Sequence, residues 1–161
     1  MERAREEVRE RQEIHRLGAQ FDPIPHQLQA LVAYWDEKRD GRALPLREDL
    51  GGAGLRPWAG HLALFEAFDD QDFLFRACDA NLIRRFGRVA TNRPIGDLAT
   101  DLARHLRAVL SAALDAKGPV VATSGVALGY TILWHCELAL PLGSRDHRRM
   151  VLLGSFPSAK Y

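Results

Sequence analysis

The residues best suited to chemistry in this sequence are six histidines and two cysteines. The histidines are His15, His26, His61, His105, His135 and His147, and no two of them stand at i,i+2 or i,i+4. Those are the spacings that place two ligands on one side of a strand or helix. His135 and Cys136 are adjacent, so in a strand they point to opposite faces and cannot readily chelate one ion. Ser124, His135 and Asp146 supply the residue types of a nucleophilic triad, but a chain of this length offers such a set by chance. No G-x-S-x-G, H-E-x-x-H, G-x-G-x-x-G or Walker A sequence occurs. The run Gly51-Gly52-Ala53-Gly54 lacks the Lys-Ser or Lys-Thr of a phosphate loop and reads as a connection. Catalysis and metal binding are therefore not expected.

Charge and composition narrow the function further. Lys plus Arg is 22 against 21 for Asp plus Glu, and the only lysines are Lys38, Lys117 and Lys160. A net charge of +1 argues against a mainly electrostatic nucleic-acid binder. Arg84, Arg85, Arg88 and Arg93 nevertheless fall within ten positions. They are candidates for a surface that docks an acidic partner, beside the plainer reading of a solvated face. With 161 residues, 47% of them hydrophobic, the chain can bury one core. Two cysteines exclude a disulfide-dense scaffold and fit a reducing, cytoplasmic setting. No signal peptide and no membrane span are expected.

These residues need elements to hold them. Residues 2–17 alternate in charge, with i,i+4 pairs such as Glu7 and Arg11, which predicts an N-terminal helix. Its thin apolar side, with Val8, Ile14 and Leu17, is a candidate dimer arm. Leu28, Leu31, Val32 and Trp35 recur at i, i+3, i+4 and i+7, predicting a helix over 26–39. A short helical turn is expected at 46–50. Strands are expected at 61–68 and 73–77, joined by a polar turn, then a short helix at 79–86 capped by Asp79 and ended by Gly87. The clearest helix spans 97–115. Three strands follow, at 120–128, 131–140 and 149–156. In the second, Ile132, Trp134, Cys136, Leu138 and Leu140 share one face; Thr131, Leu133, His135, Glu137 and Ala139 share the other. The order predicts an α+β domain: a five-stranded antiparallel sheet with helices on one face, preceded by N-terminal helices. The organisation is read as a helical arm or cap over 1–57 and a core over 58–161.

That order resembles the PAS fold, and particular residues carry the likeness. Asn81, Phe86, Gly87, Ile95, Gly96 and Leu98 match the early PAS segment, in which a strand runs into an Asn-containing short helix and an I-G-x-x-L turn. More closely, the chain is similar to a single-domain bacterial PAS family of alphaproteobacterial type. The P-x-x-L-x-x-L-x-x-Y-W entry runs from Pro25 to Trp35, a looser R-x-x-x-L-P piece lies between Arg39 and Pro45, and a long run follows from Leu64 to Arg88. The likeness covers roughly Phe21 to Phe156.

The resemblance implies a non-enzymatic sensory or regulatory module in bacterial signal transduction, acting by protein–protein interaction and by small-ligand binding. With no output domain expected after the last strand, signalling is expected to pass by contact to a histidine kinase or another two-component protein. A homodimer is also expected, since flanking helices pair subunits in many PAS proteins. The alternative is a small-molecule-binding or catalytic α+β domain using the space between sheet and helix. For either, the candidate pocket residues between sheet and long helix are Phe65, Phe75, Leu106, Val109, Leu110, Trp134, Cys136 and Leu138. The sequence names no cofactor. Flavin-binding relatives carry Asn-Cys-Arg-Phe-Leu where this chain has Cys78-Asp79-Ala80-Asn81. His105, the histidine nearest to a haem-ligand position, reads as a surface residue between Arg104 and Arg107.

Overall fold

The structure, a computed structural model, describes residues 13–16, 24–69, 72–87, 91–128 and 130–158. In chain order the elements are β1 (Glu13–Arg16), α1 (His26–Arg39), β2 (Leu62–Phe68), β3 (Asp72–Cys78), α2 (Ala80–Phe86), α3 (Thr100–Ala116), β4 (Val120–Leu128), β5 (Thr131–Leu142) and β6 (Met150–Pro157). The strands form one antiparallel sheet in the order β1-β4-β5-β6-β2-β3. The five expected strands are present. α3 crosses from β3 at one edge to β4 near the other, the crossover that links the first hairpin to the last three strands.

β1 is the correction. The charge pattern over 2–17 predicts a helix, but residues 13–16 lie extended against β4, with Glu13 opposite Thr123 and Arg16 opposite Val120. Exposed i,i+4 ion pairs contribute only about 0.3–0.5 kcal/mol each. Such pairs are too weak to fix the conformation here, and the segment instead completes the edge of the sheet beside β4. The rest of that predicted helix lies outside the described residues.

Both faces of the sheet are buried. On one, α2 and α3 cover Phe65, Phe75, Val120, Ala122, Ala139 and Val151 with Leu106, Val109 and Leu110. On the other, α1 covers Leu138, Leu140 and Leu152 with Leu28, Leu31 and Trp35. α1 therefore caps the sheet within its own chain. Its seat is specific. Gly154 of β6 lies beneath it, where a Cβ would come within 2.9 Å of Leu31 Cδ2. Trp35 Nε1 donates to the Pro141 carbonyl at 2.9 Å, and Trp58 Nε1 donates to that of Gln27 at 2.6 Å. The helix stops at Asp40, which takes the left-handed conformation (φ +49°) that ends many helices. A single turn of tight helix at Arg47–Asp49 and another at Arg56–Trp58 carry the chain back to β2.

Candidate functional site

The inward phase of β5 sets His135, Glu137 and Ala139 toward α2 and α3. Glu137 lies opposite Ala122 on β4 and Ser155 on β6, in the middle of the sheet. It is fully buried. A carboxylate there survives only if its oxygens are met by donors, and they are. Arg85, in the last turn of α2, pairs with Oε1. Ser124 Oγ donates to the same oxygen at 3.1 Å. His105 of α3 meets Oε2 through Nε2 at 2.7 Å. Arg85 also donates to Ser155 Oγ at 2.8 Å and to Ser124 Oγ. One acid thus ties β4, β5 and β6 to both inner helices.

The electrostatics follow from this packing. Burial alone pushes the Glu137 carboxyl up, but the Arg85 charge and the His105 hydrogen bond outweigh it and bring it down to about 2. Burial and the Arg85 charge push the neighbouring His135 imidazole down. The His105 ring keeps one orphan: buried Nδ1 has no partner among the described residues. With Nε2 engaged by the carboxylate, Nδ1 is left as a buried polar atom whose hydrogen bond is unmet.

The arrangement is a clamp. Glu137 is ionised across the neutral range with both oxygens engaged, so it is a poor general base. Ser124 and His135 stand opposite each other in register, but the Ser124 hydroxyl is committed to Glu137. Asp146 is held by Ser144 and Arg148 in the turn after β5, apart from both. The Cys78 and Cys136 thiols are each pushed up to about 11, mainly by burial, which leaves them weak nucleophiles. Among the described residues no cluster of His, Cys, Asp or Glu could hold a metal ion.

The predicted pocket residues divide between the two faces. Phe65, Phe75, Leu106, Val109 and Leu110 come together beneath α3. Cys136 and Leu138 lie on the opposite face under α1, and Trp134, in their phase, is half-buried. The alternation along β5 is as read, but its more polar side faces α3. Of the arginines, Arg84 and Arg93 are exposed, with Arg93 paired to Asp97 at 3.0 Å. Arg85 turns inward, its side chain only 9% exposed, and Arg88 lies outside the described residues. Val8 and Leu17 also lie outside them, and Ile14 sits in β1 opposite Ala122.

His105 is 2% exposed, so the surface reading of it is corrected. Its signal was present: it lies three residues after Leu102 and four before Val109, inside the apolar stripe of α3. Glu137 and Ser155 were missed as site residues. The available sign was an acid flanked by apolar residues in Cys136-Glu137-Leu138-Ala139-Leu140, in the same phase as Ala139.

A scan of protein-family models matches residues 24–157 to the PAS domain. The chain belongs to the PAS domain family. No curated protein and no solved structure matches it. The PAS match takes in α1 as well as the five-stranded core and ends on β6. Among the described residues of this PAS domain, no helix is long and apolar enough to cross a membrane.

Proposed function

We propose that this PAS domain is a non-enzymatic sensory and regulatory module of bacterial signal transduction, working in the cytoplasm through protein contacts. The observation that carries the reading is the Glu137 clamp. A single buried charge joins the sheet to α2 and α3, so a ligand or partner that disturbs one of these elements shifts the packing of the others. The exposed face of α2, with Ile83 and Arg84, is the surface such a shift presents to a histidine kinase or other two-component protein. A homodimer through Val8, Ile14 and Leu17 belongs to the same reading.

Two measurements test it. A photo-crosslinker placed at Arg84 in the producing cell should capture a two-component signalling protein. Light scattering should show a dimer that Val8→Arg with Leu17→Arg dissociates. A chain that is monomeric in both forms sinks the dimer. Failure to crosslink, joined to substrate turnover abolished by Glu137→Gln, overturns the regulatory reading.

One observation favours a second reading, a small-molecule-binding or catalytic α+β domain. The unmet Nδ1 of His105 offers a buried polar contact between sheet and α3. Native mass spectrometry of freshly purified protein tests this version: a retained polar molecule, lost on His105→Phe, supports it, and a bare chain speaks against it.

A further inference from the structure

α1 covers the outer face of the sheet over β5 and β6. Toward β2 and β3 that face is roofed instead by residues 47–59, and beneath them lies a cleft of about 260 Å³. Its apolar walls include Leu50, Leu55, Leu64 and Leu152. Two cations, Arg47 and Arg56, stand at its rim, both exposed. The acids nearest Arg47 in sequence are engaged elsewhere: Asp49 pairs with Arg42, and Glu48 accepts the Arg145 backbone N–H at 3.0 Å. Neither Arg47 nor Arg56 has a side-chain partner among the described residues. The one acid lining the cleft, Asp79, accepts the backbone N–H groups of Gly60 and Leu62 at 3.0 and 3.1 Å.

We infer that this cleft binds a small amphipathic carboxylate, its apolar body against the leucines and its charge between Arg47 and Arg56. This goes beyond the proposed function, since the site lies on the face opposite Glu137. An apolar cleft with two unpaired cations at its mouth complements one apolar tail and one anionic head. Size limits the tail. At the ~30 Å³ that each water occupies in the liquid, the cleft holds about nine non-hydrogen atoms, a chain of roughly seven or eight carbons. The arginines are exposed, so each contributes modestly: loss of either should weaken binding about fivefold, with salt weakening the rest.

Titration of the full chain with octanoate, followed by methyl NMR, tests the inference. Shifts should concentrate on Leu50, Leu55, Leu64 and Leu152. The uncharged 1-octanol should bind at least tenfold more weakly. Arg47→Gln and Arg56→Gln should each weaken octanoate about fivefold while leaving octanol unchanged. Ala77→Phe, at an exposed strand position lining the cleft, should fill it and abolish binding without entering the core. The inference is overturned if millimolar octanoate leaves these methyls unmoved, if octanol binds equally well, or if the shifts fall on Leu106 and Leu110 beneath α3. Because those methyls report the other face, failure here leaves the regulatory reading standing.

Discussion

Replacing Glu137 by glutamine keeps the shape of the side chain and removes only its charge. The carboxyl stands at about 2 in the folded protein against an ordinary 4.5. At ~1.4 kcal/mol per pH unit, that difference is about 3 kcal/mol of stability at neutral pH. The same magnitude follows from the other direction. Breaking a buried pair strands its partner, and Arg85, with a side chain 9% exposed, would be left unpaired at a cost of about 3–5 kcal/mol. Urea unfolding at pH 7 should therefore show a loss of about 3 kcal/mol, and thermal unfolding a fall of roughly 6–12 °C. The pH dependence has a definite sign. A carboxyl whose folded pKa lies below its unfolded one binds fewer protons in the native state, so its contribution is complete above about 4.5 and disappears as pH falls toward 2. Wild type should lose this increment across that window, and Glu137→Gln should lack it. A variant within 0.5 kcal/mol of wild type, or parallel stability curves from pH 5 to pH 2, would refute the clamp.

Three further outcomes follow from the same structure. The double substitution Glu137→Leu with Arg85→Met should stay well below wild type in urea unfolding, because it removes the ion pair but strands the buried His105 Nε2 and Ser124 hydroxyl at about 1–3 kcal/mol each. Gly154→Ala should cost about 1–3 kcal/mol and speed amide exchange in α1, since the new Cβ meets Leu31 Cδ2 at 2.9 Å and Leu28 Cδ2 at 3.2 Å. Exchange rates unchanged from wild type would mean that α1 is not seated on β6. Cys78 and Cys136, both at about 11, should be alkylated by iodoacetamide at pH 8 far more slowly in the folded protein than in urea, with the native rate rising only as pH approaches 11. Mass spectrometry of labelled peptides separates the two sites.

Much of the architecture was legible because local periodicity and the final packing agree. The stripe Leu28, Leu31, Val32, Trp35 gives α1 its bounds, and the run Val120 to Leu128 gives β4 its bounds. Phase was legible along β5, but orientation was not. Both of its faces are covered, so Cys136 and Leu138 pack under α1 with as good reason as Leu106 packs under α3. Alternation separates two faces without saying which helix covers each. The site was harder to read because its charges pair across distance: His105 and Arg85 meet Glu137 from separate helices, and Ser155 comes from a different strand. Taken alone, Arg85 belongs with its exposed neighbour Arg84. Only the carboxylate on β5 explains why it turns inward.

The short pairing of Glu13–Arg16 with Val120–Thr123 has a consequence for solubility. Without β1, β4 becomes the outermost strand on that side, carrying Val120, Val121 and Ala122 beside a row of open backbone donors and acceptors. Such a border is a template on which another copy can add a strand. Removing residues 1–20, and β1 with them, would therefore do more than trim an appendage: it would uncover a site for chain-to-chain growth. Particles formed by the shortened protein would then be self-templated β-assemblies, distinguishable from native oligomers by thioflavin binding.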